Sequence, residues 1–202
     1  MSDKVKEEIL EILESSKREG IDKLIDFLCG SSFFIDPAST SHNCYEGGLA
    51  KHSLRFYKIL KKYMEKEPDL IKYEDSVKII MLHDISFIGT FDKVPKNFPL
   101  KDNLGRNKLD ENGRLIWKNI LSYDQNFENQ LPYPPGQLST ILLKQYIKLT
   151  KLEDLAICWN RGEIPTQTVA LLKRAQKTNK LILYTFFADQ EAQLFYGGSL
   201  ND

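Results

Sequence analysis

The stretch Met81-Leu82-His83-Asp84 sets an imidazole and a carboxylate side by side at the end of an apolar helical run, Val77, Ile80, Met81 and Leu82. Imidazole suits Mn, Fe, Co, Ni and Zn, and carboxylate suits those ions and Mg. A His-Asp dipeptide also arises by chance on exposed surfaces, so its meaning rests on what else the chain brings beside it. Histidine is scarce: His42, His52 and His83 are the only three in 202 residues. His52 lies among Leu49, Phe56 and Tyr63 at helical spacing and so faces inward. On chemistry alone a core histidine held by a hydrogen bond accounts for that position better than a metal ligand does. Asp189 ends Tyr184-Thr185-Phe186-Phe187-Ala188-Asp189, in a segment apolar nearly all round. A carboxylate buried there without a partner would cost roughly several kcal/mol. A metal ion would supply the partner, and so would a buried Lys, Arg or His. An internal His, a His-Asp pair and a buried Asp on three helices would make a mixed nitrogen and oxygen metal site with open positions for water, which is not yet a reaction.

Outward from this set the pattern is mostly helical. Val5, Ile9, Ile12 and Leu13 share one face, and Gly20 breaks the run. Leu24, Ile25 and Leu28 form a second short helix ended by Gly30. Residues 31–48 are rich in Ser, Pro, Asn and Gly and predict a loop. Helical spacing resumes over 49–66, again over 76–83, and again over 138–147. Thr150 with Glu153 three residues on predicts a capping box, and that helix runs to about Asn160, closed by Gly162 and Pro165. Two last helices are expected over 166–176 and 179–196, with Asn179 as the cap between them. Residues 91–135 differ in character and hold five of the eight prolines. Asp110-Glu111-Asn112-Gly113 predicts a hairpin turn, flanked by short strands at Leu109 and at Leu115-Ile116-Trp117. The expectation is one all-α helical-bundle domain over 1–202, with residues 91–135 as a hairpin or loop insertion.

The composition bounds the function. Lys plus Arg and Asp plus Glu each count 28, so no global field draws the molecule to nucleic acid or to an anionic membrane. The opening MSDKVKEEIL is charged and amphipathic rather than signal-like, and no apolar run approaches the ~20 residues of a membrane span. Cys29, Cys44 and Cys158 show no CxxC spacing and are expected as mostly buried, reduced thiols. A cytoplasmic protein is the expectation, and a homo-oligomer is compatible with it.

Three segments in order carry a resemblance. Glu46-Gly47-Gly48-Leu49-Ala50-Lys51-His52-Ser53-Leu54 resembles the first-histidine motif of the HD-superfamily phosphohydrolases. Met81-Leu82-His83-Asp84 resembles the HD pair, and Phe187-Ala188-Asp189-Gln190-Glu191-Ala192 resembles the closing Ala-Asp motif. The similarity spans about 34–196 and is greatest to small phage and bacterial HD proteins with a hairpin insertion. It implies a helical HD domain in which His52, His83, Asp84 and Asp189 hold one divalent ion (Mn, Co, Ni, Fe, Zn or Mg). In that family the ion activates water and neutralises phosphate oxygens in phosphoester hydrolysis.

The departures are specific. Two-metal relatives carry two further histidines, and the matching positions here are Pro135 and Asn160, so a second ion is not expected. One-metal relatives carry a glutamate, and hairpin-bearing relatives a lysine, where this chain has Phe87. Asp84 together with Glu46, Asp92 or Lys93 is then left to assist water. Lys51, Arg55, Lys93 and Arg161 are candidates for phosphate contacts, and His42 for touching substrate or a leaving group, although each also suits a solvated surface position. The expected activity is hydrolysis of a nucleotide or other small phosphate ester. The alternative is a degenerate HD protein that binds a nucleotide or a partner without turnover. An exonuclease is disfavoured by the missing basic stripe.

Overall fold

The computed structural model describes residues 3–126, 128, 131–160 and 168–196. In chain order the helices are α1 (Asp3–Glu14), α2 (Ile21–Gly30), α3 (Gly48–Lys66), α4 (Glu74–Ile80), α5 (Pro135–Leu143), α6 (Lys151–Cys158), α7 (Val169–Thr178) and α8 (Lys180–Leu194). Short 3-10 turns at Pro68–Tyr73 and Ile85–Phe87 flank α4 and the His-Asp pair. Strands β1 (Phe91–Pro99) and β2 (Trp117–Gln125) lie between α4 and α5.

Helix α3 is the axis of the body. Leu49, Phe56 and Leu60 on α3 are fully buried, and α1, α4 and α8 all pack against it. Helix α8 lies along α3, with Leu181, Ile182, Ala188 and Ala192 buried. Helices α5 and α6 pair with each other, and α6 also reaches α4 and α8. One connected apolar cluster runs from Ile9 to Ala192. The apolar spacing read from the sequence therefore places the right residues inside, because burial of one stripe per helix is what the periodicity encodes.

Two helix starts follow their local chemistry. Thr150 accepts from the Glu153 N–H at 3.2 Å, and the Glu153 carboxylate accepts from the Thr150 N–H at 2.7 Å, the expected reciprocal cap. The Asn179 side chain accepts from the Leu181 N–H at 2.9 Å and opens α8. The closure expected at Gly162 and Pro165, and the start at residue 166, lie outside the described residues. Of the cysteines, Cys44 is buried but Cys29 is exposed, against expectation. No helix among the described residues is long and apolar enough to cross a membrane.

The all-α class is corrected by the sheet. The protein is 55% helical and mixed in class. β1 and β2 pair antiparallel from Phe91 opposite Gln125 to Pro99 opposite Trp117. The strands expected at Leu109 and Leu115 are only single bridges at the ribbon's tip, where Leu109 meets Leu115 and Lys101 meets Asn107. The stem escapes a sequence reading because Pro95 and Pro99 argue against a strand. Both prolines, however, stand where the backbone N–H would point away from β2, so neither removes a ladder bond. Asp110–Gly113 does turn, but with Gly113 in the left-handed region at φ 75° after the turn rather than Asn-Gly at its centre. The Gly113 N–H donates to the Asp110 carbonyl at 3.0 Å, and Gly105 repeats this with Asp102 at 3.0 Å. The tip thus carries two tandem tight turns.

Glu153 ties the α6 cap to the N-terminal half. Its buried carboxylate receives Arg18 Nη1 at 2.7 Å, and Arg18 Nη2 also donates to the Lys148 carbonyl at 2.6 Å. Burial pushes the Glu153 carboxyl up, but the bonds from Arg18 and Thr150 outweigh burial and hold it below its usual 4.5. Glu153→Gln is expected to lower stability by about 1–3 kcal/mol at pH 7, as a buried charged partner is lost. Because the folded value is the lower one, this contribution is present above the unfolded value and is lost as pH falls through the folded value. Urea unfolding of both proteins at neutral and acid pH should show the gap between them narrowing in acid.

Candidate metal centre

The glycines before α3 set the height of His52. Gly47 is the N-cap in the left-handed region at φ 77°. Gly48 lies so close to the preceding loop that a Cβ there would meet the Asn43 carbonyl oxygen at 1.9 Å. The Leu49 N–H donates to the Asp36 carbonyl at 3.0 Å, and Asp36 Oδ2 accepts from the Gly89 N–H at 2.6 Å. One residue, Asp36, therefore fixes the start of α3 and the segment that follows the His-Asp pair.

In a regular helix neighbouring side chains diverge by about 100° and cannot face one point. The chain solves this by ending α4 at Ile80, three residues short of the helix expected to reach His83. His83 and Asp84 fall in the turn that follows, and Asp84 takes φ −103° and ψ 15°. That break lets both side chains face His52. On α8, Asp189 is flanked by Ala188 and one turn on by Ala192, small residues that allow α8 to lie close to α3.

The four groups converge. His52 Nε2 is 3.3 Å from His83 Nε2, 3.1 Å from Asp189 Oδ1 and 3.5 Å from Asp84 Oδ2. His83 Nε2 is 3.3 Å from Asp189 Oδ1 and 3.6 Å from Asp84 Oδ2. The ligand atoms all lie within 4.8 Å of one another, and no group is more than 1% exposed. An ion about 2.0–2.2 Å from each donor would hold tetrahedral donors about 3.3–3.6 Å apart and neighbouring octahedral ones about 2.8–3.1 Å apart. The five spacings that involve His52 or His83 fall within these ranges, and the two carboxylates lie within 4.8 Å of each other. The set fits a four-coordinate ion, or a six-coordinate one with two further positions.

Electrostatics point the same way. Two imidazole Nε2 atoms face each other and face two carboxylates in a dry interior. A proton on one Nε2 can serve only part of this set, whereas a dication accepts all four lone pairs at once. Burial pushes the Asp189 carboxyl up, but the hydrogen bonds and charge of His52 and His83 outweigh it and hold Asp189 well below the usual carboxylate range. It therefore stays a charged ligand. Its other oxygen, Oδ2, accepts from Gln193 Nε2 at 2.7 Å, which fixes the carboxylate's orientation. The Phe56 ring lies 4.3 Å from the His83 ring and limits its rotation. Gln193 and Phe56 escape a sequence reading that looks for ligands; their signal is the four-residue step from Asp189 and from His52.

The other expected site residues are distributed differently. The His42 ring lies 5.7 Å from the His52 ring, at the rim of the cluster. Arg55 donates to Asn43 Oδ1 at 3.5 Å and to the Tyr196 carbonyl, with its guanidinium 5.3 Å from the Tyr196 ring centre. Lys51 Nζ stands 4.8 Å over the Tyr45 ring. Lys93 and Glu46 pair with each other at 3.0 Å, both more than half exposed, and neither bonds to the four donors. Their mutual hydrogen bond holds Glu46 below and Lys93 above their usual values, so neither is tuned as a base. They rim a recess of about 180 Å³ with Tyr45, Leu121, Ser122 and Tyr123. Phe87 is buried beside Phe91, with ring centres 6.1 Å apart. Pro135 opens α5, where its missing N–H costs nothing, and Asn160 is buried after α6. Arg161 lies outside the described residues.

Comparison of the chain with family models, with curated proteins and with solved structures gives no match. The geometry of the four donors is therefore what the functional reading rests on.

Two substitutions test the build of the centre. Gln193→Leu frees Asp189 Oδ2 and should weaken divalent-ion affinity about 10–100-fold, read by competition with a chelating dye, with the far-UV spectrum unchanged. Gly48→Ala drives a methyl into the Asn43 carbonyl and should lower thermal stability by about 2–4 kcal/mol, read by denaturant unfolding.

Proposed function

We propose that the protein is a metal-dependent phosphohydrolase of HD type, acting on a nucleotide or another small phosphate ester. The observation that carries this reading is the convergence of His52, His83, Asp84 and Asp189, from α3, the turn after α4, and α8, onto one point. The His, His-Asp, Asp order in the sequence is the order of that superfamily's motif. A divalent ion at this point would supply an acidified water and a positive charge facing phosphate oxygens.

The chain's own groups have separable tasks. His52 and His83 offer neutral nitrogen lone pairs, and Asp84 and Asp189 offer charge. Gln193 holds Asp189 in place. His42, at the rim beside His52, is placed to give a proton to a departing alkoxide. Arg55 and Lys51, on the turns of α3 around His52, are the nearest α3 cations for phosphate oxygens. Arg55 is engaged by the Tyr196 carbonyl and ring, so Tyr196 has to yield before a phosphate takes that guanidinium.

A second reading has its own observation. All four donors are shut off from solvent, and Phe87 is buried at the position where the hydrolases this sequence resembles carry Glu or Lys. A closed, fully protein-ligated ion is the mark of a structural site. On this reading the protein binds an ion, and through it a nucleotide or a partner, without turnover.

Metal analysis of the purified protein should find close to one divalent ion per chain, lost in His83→Ala. A panel of nucleotides and small phosphate esters is then incubated with protein loaded with Mn²⁺, Co²⁺ or Mg²⁺. Release of phosphate or nucleoside that disappears in His83→Ala supports the hydrolase. Thermal stabilisation by a nucleotide with no product favours the second reading. No ion bound at all refutes both.

A further inference from the structure

The Lys93–Glu46 pair does not bond to the four donors, and its surroundings give it another use. Lys93 on β1 stands opposite Tyr123 on β2, so the two side chains share one face of the ribbon, and Leu121 lies on that face two residues away. The loop that leads into α3 meets this face with Tyr45 and Glu46. Together they line the recess of about 180 Å³, with Ser122 completing it. A pocket that encloses a whole ligand is larger, roughly 300–1,000 Å³. This one suits a single flat ring system. Two tyrosine rings beside a carboxylate and an ammonium are the kinds of group that read a nucleobase, the first by stacking and the second through the ring's hydrogen-bonding edge.

We propose that this recess is a nucleobase subsite that selects guanine, which rests on the nucleotide reading of the metal centre and names its substrate class. A carboxylate only accepts hydrogen bonds and an ammonium only donates them. The bond of 3.0 Å between Glu46 Oε2 and Lys93 Nζ sets acceptor and donor side by side. Among the described residues Glu46 Oε1 has no hydrogen-bond partner. Guanine has the matching edge. Its N1–H and N2–H are neighbouring donors for the two carboxylate oxygens, and O6 beside them accepts from the ammonium. Adenine, cytosine and uracil present one donor group each on that edge, so a carboxylate holds them through one bond instead of two. Both side chains are more than half exposed, where such a pair adds little to the fold. A base laid over the pair excludes water and strengthens its charge-assisted bonds. The recess is joined to the metal centre through one amide. The Tyr45 hydroxyl donates to Asn43 Oδ1 at 2.9 Å, and the same oxygen accepts from Arg55 Nη1 at 3.5 Å. Asn43 is fully buried and follows His42, whose ring lies 5.7 Å from that of His52. The wall of the recess and Arg55 thus meet at Asn43, so one nucleotide can touch both with its base and its phosphate.

The test reads binding, on the full chain loaded with Mn²⁺. GMP, IMP, AMP, CMP and UMP are titrated, with affinity taken from the shift in melting temperature. GMP should bind about tenfold or more tighter than AMP, CMP and UMP, and also tighter than IMP, which lacks only the N2 amine. Guanosine, with no phosphate, should raise the melting temperature more than adenosine does. Glu46→Gln replaces one acceptor oxygen by a donor and should reduce the preference for GMP about tenfold, with the far-UV spectrum and the divalent-ion affinity unchanged. Lys93→Met removes the donor to O6 and should weaken GMP and IMP together. Equal binding of the five nucleotides overturns the proposal. So does a preference for GMP that survives Glu46→Gln, or a protein that keeps its ion and binds no nucleotide. Each of these leaves one ion per chain in place, and with it the metal-dependent reading. A chain that binds no ion removes that reading and the base subsite together.

Discussion

Two carboxylates, Asp84 and Asp189, share a dry interior with two imidazoles, and the body of the protein is arranged around that charge. Either carboxylate alone at such burial would cost about several kcal/mol and would rather be protonated. Held at 3.1–3.3 Å from His52 and His83, Asp189 instead keeps its carboxyl below the usual carboxylate range, and Asp84 lies 3.5–3.6 Å from the same two rings. This arrangement demands close backbone approach at two places, and both have the residue that permits it. Gly48 lets the start of α3 touch the Asn43 carbonyl. Ala188 and Ala192 let α8 lie along α3. The end of α4 at Ile80 is the third requirement, since a continued helix would aim His83 and Asp84 apart. Stability and site are thus one problem here: the packing that buries Phe56 and Leu181 also brings the four donors together.

Much of that was legible in the chain. Scarce histidines made His52 and His83 stand out, and an Asp inside an apolar helix declares a partner by its cost alone. Caps such as Thr150 with Glu153 and Asn179 were legible because they act within four residues. What was not legible depends on distance in space. Gln193 reads as an ordinary polar residue until its bond to Asp189 is seen. Glu153 reads as a cap and nothing more, yet it also anchors Arg18, 135 residues away. The ribbon stem was hidden by Pro95 and Pro99, whose effect on a strand depends on which way the missing N–H would point. Only the ladder's register answers that. The all-α class fell for this reason, and not because any helix was misjudged.

Asp36 couples the two halves of the site. Its carbonyl receives the Leu49 N–H at the head of α3, and its carboxylate receives the Gly89 N–H just before β1. One residue, through its backbone carbonyl on one side and its carboxylate on the other, thus ties the ribbon's base to the helix that carries His52. The Lys93–Glu46 pair joins the same two segments from outside, but at more than half exposure it adds little energy. Asp36, sheltered and with short bonds, is the stiffer link.

The closure of the site then bears on how anything reaches it. The four donors are buried, and the segments that meet around His42 and Arg55 are unlike the core beneath. His42 and Asn43 come from an irregular loop, and Tyr196 comes from beyond the end of α8. Asn43 and Tyr196 are held together by Arg55, which donates to both. An arginine held by one amide oxygen and one carbonyl, each neutral, has an unmet preference for a doubly charged oxygen group. On the proposed hydrolase reading, a phosphate offered to Arg55 would compete for it with stronger, charge-assisted bonds, and the contacts it displaced would be those to Asn43 and Tyr196. On that reading the same residue would tie Asn43 to Tyr196 and also be a first contact for an incoming anion.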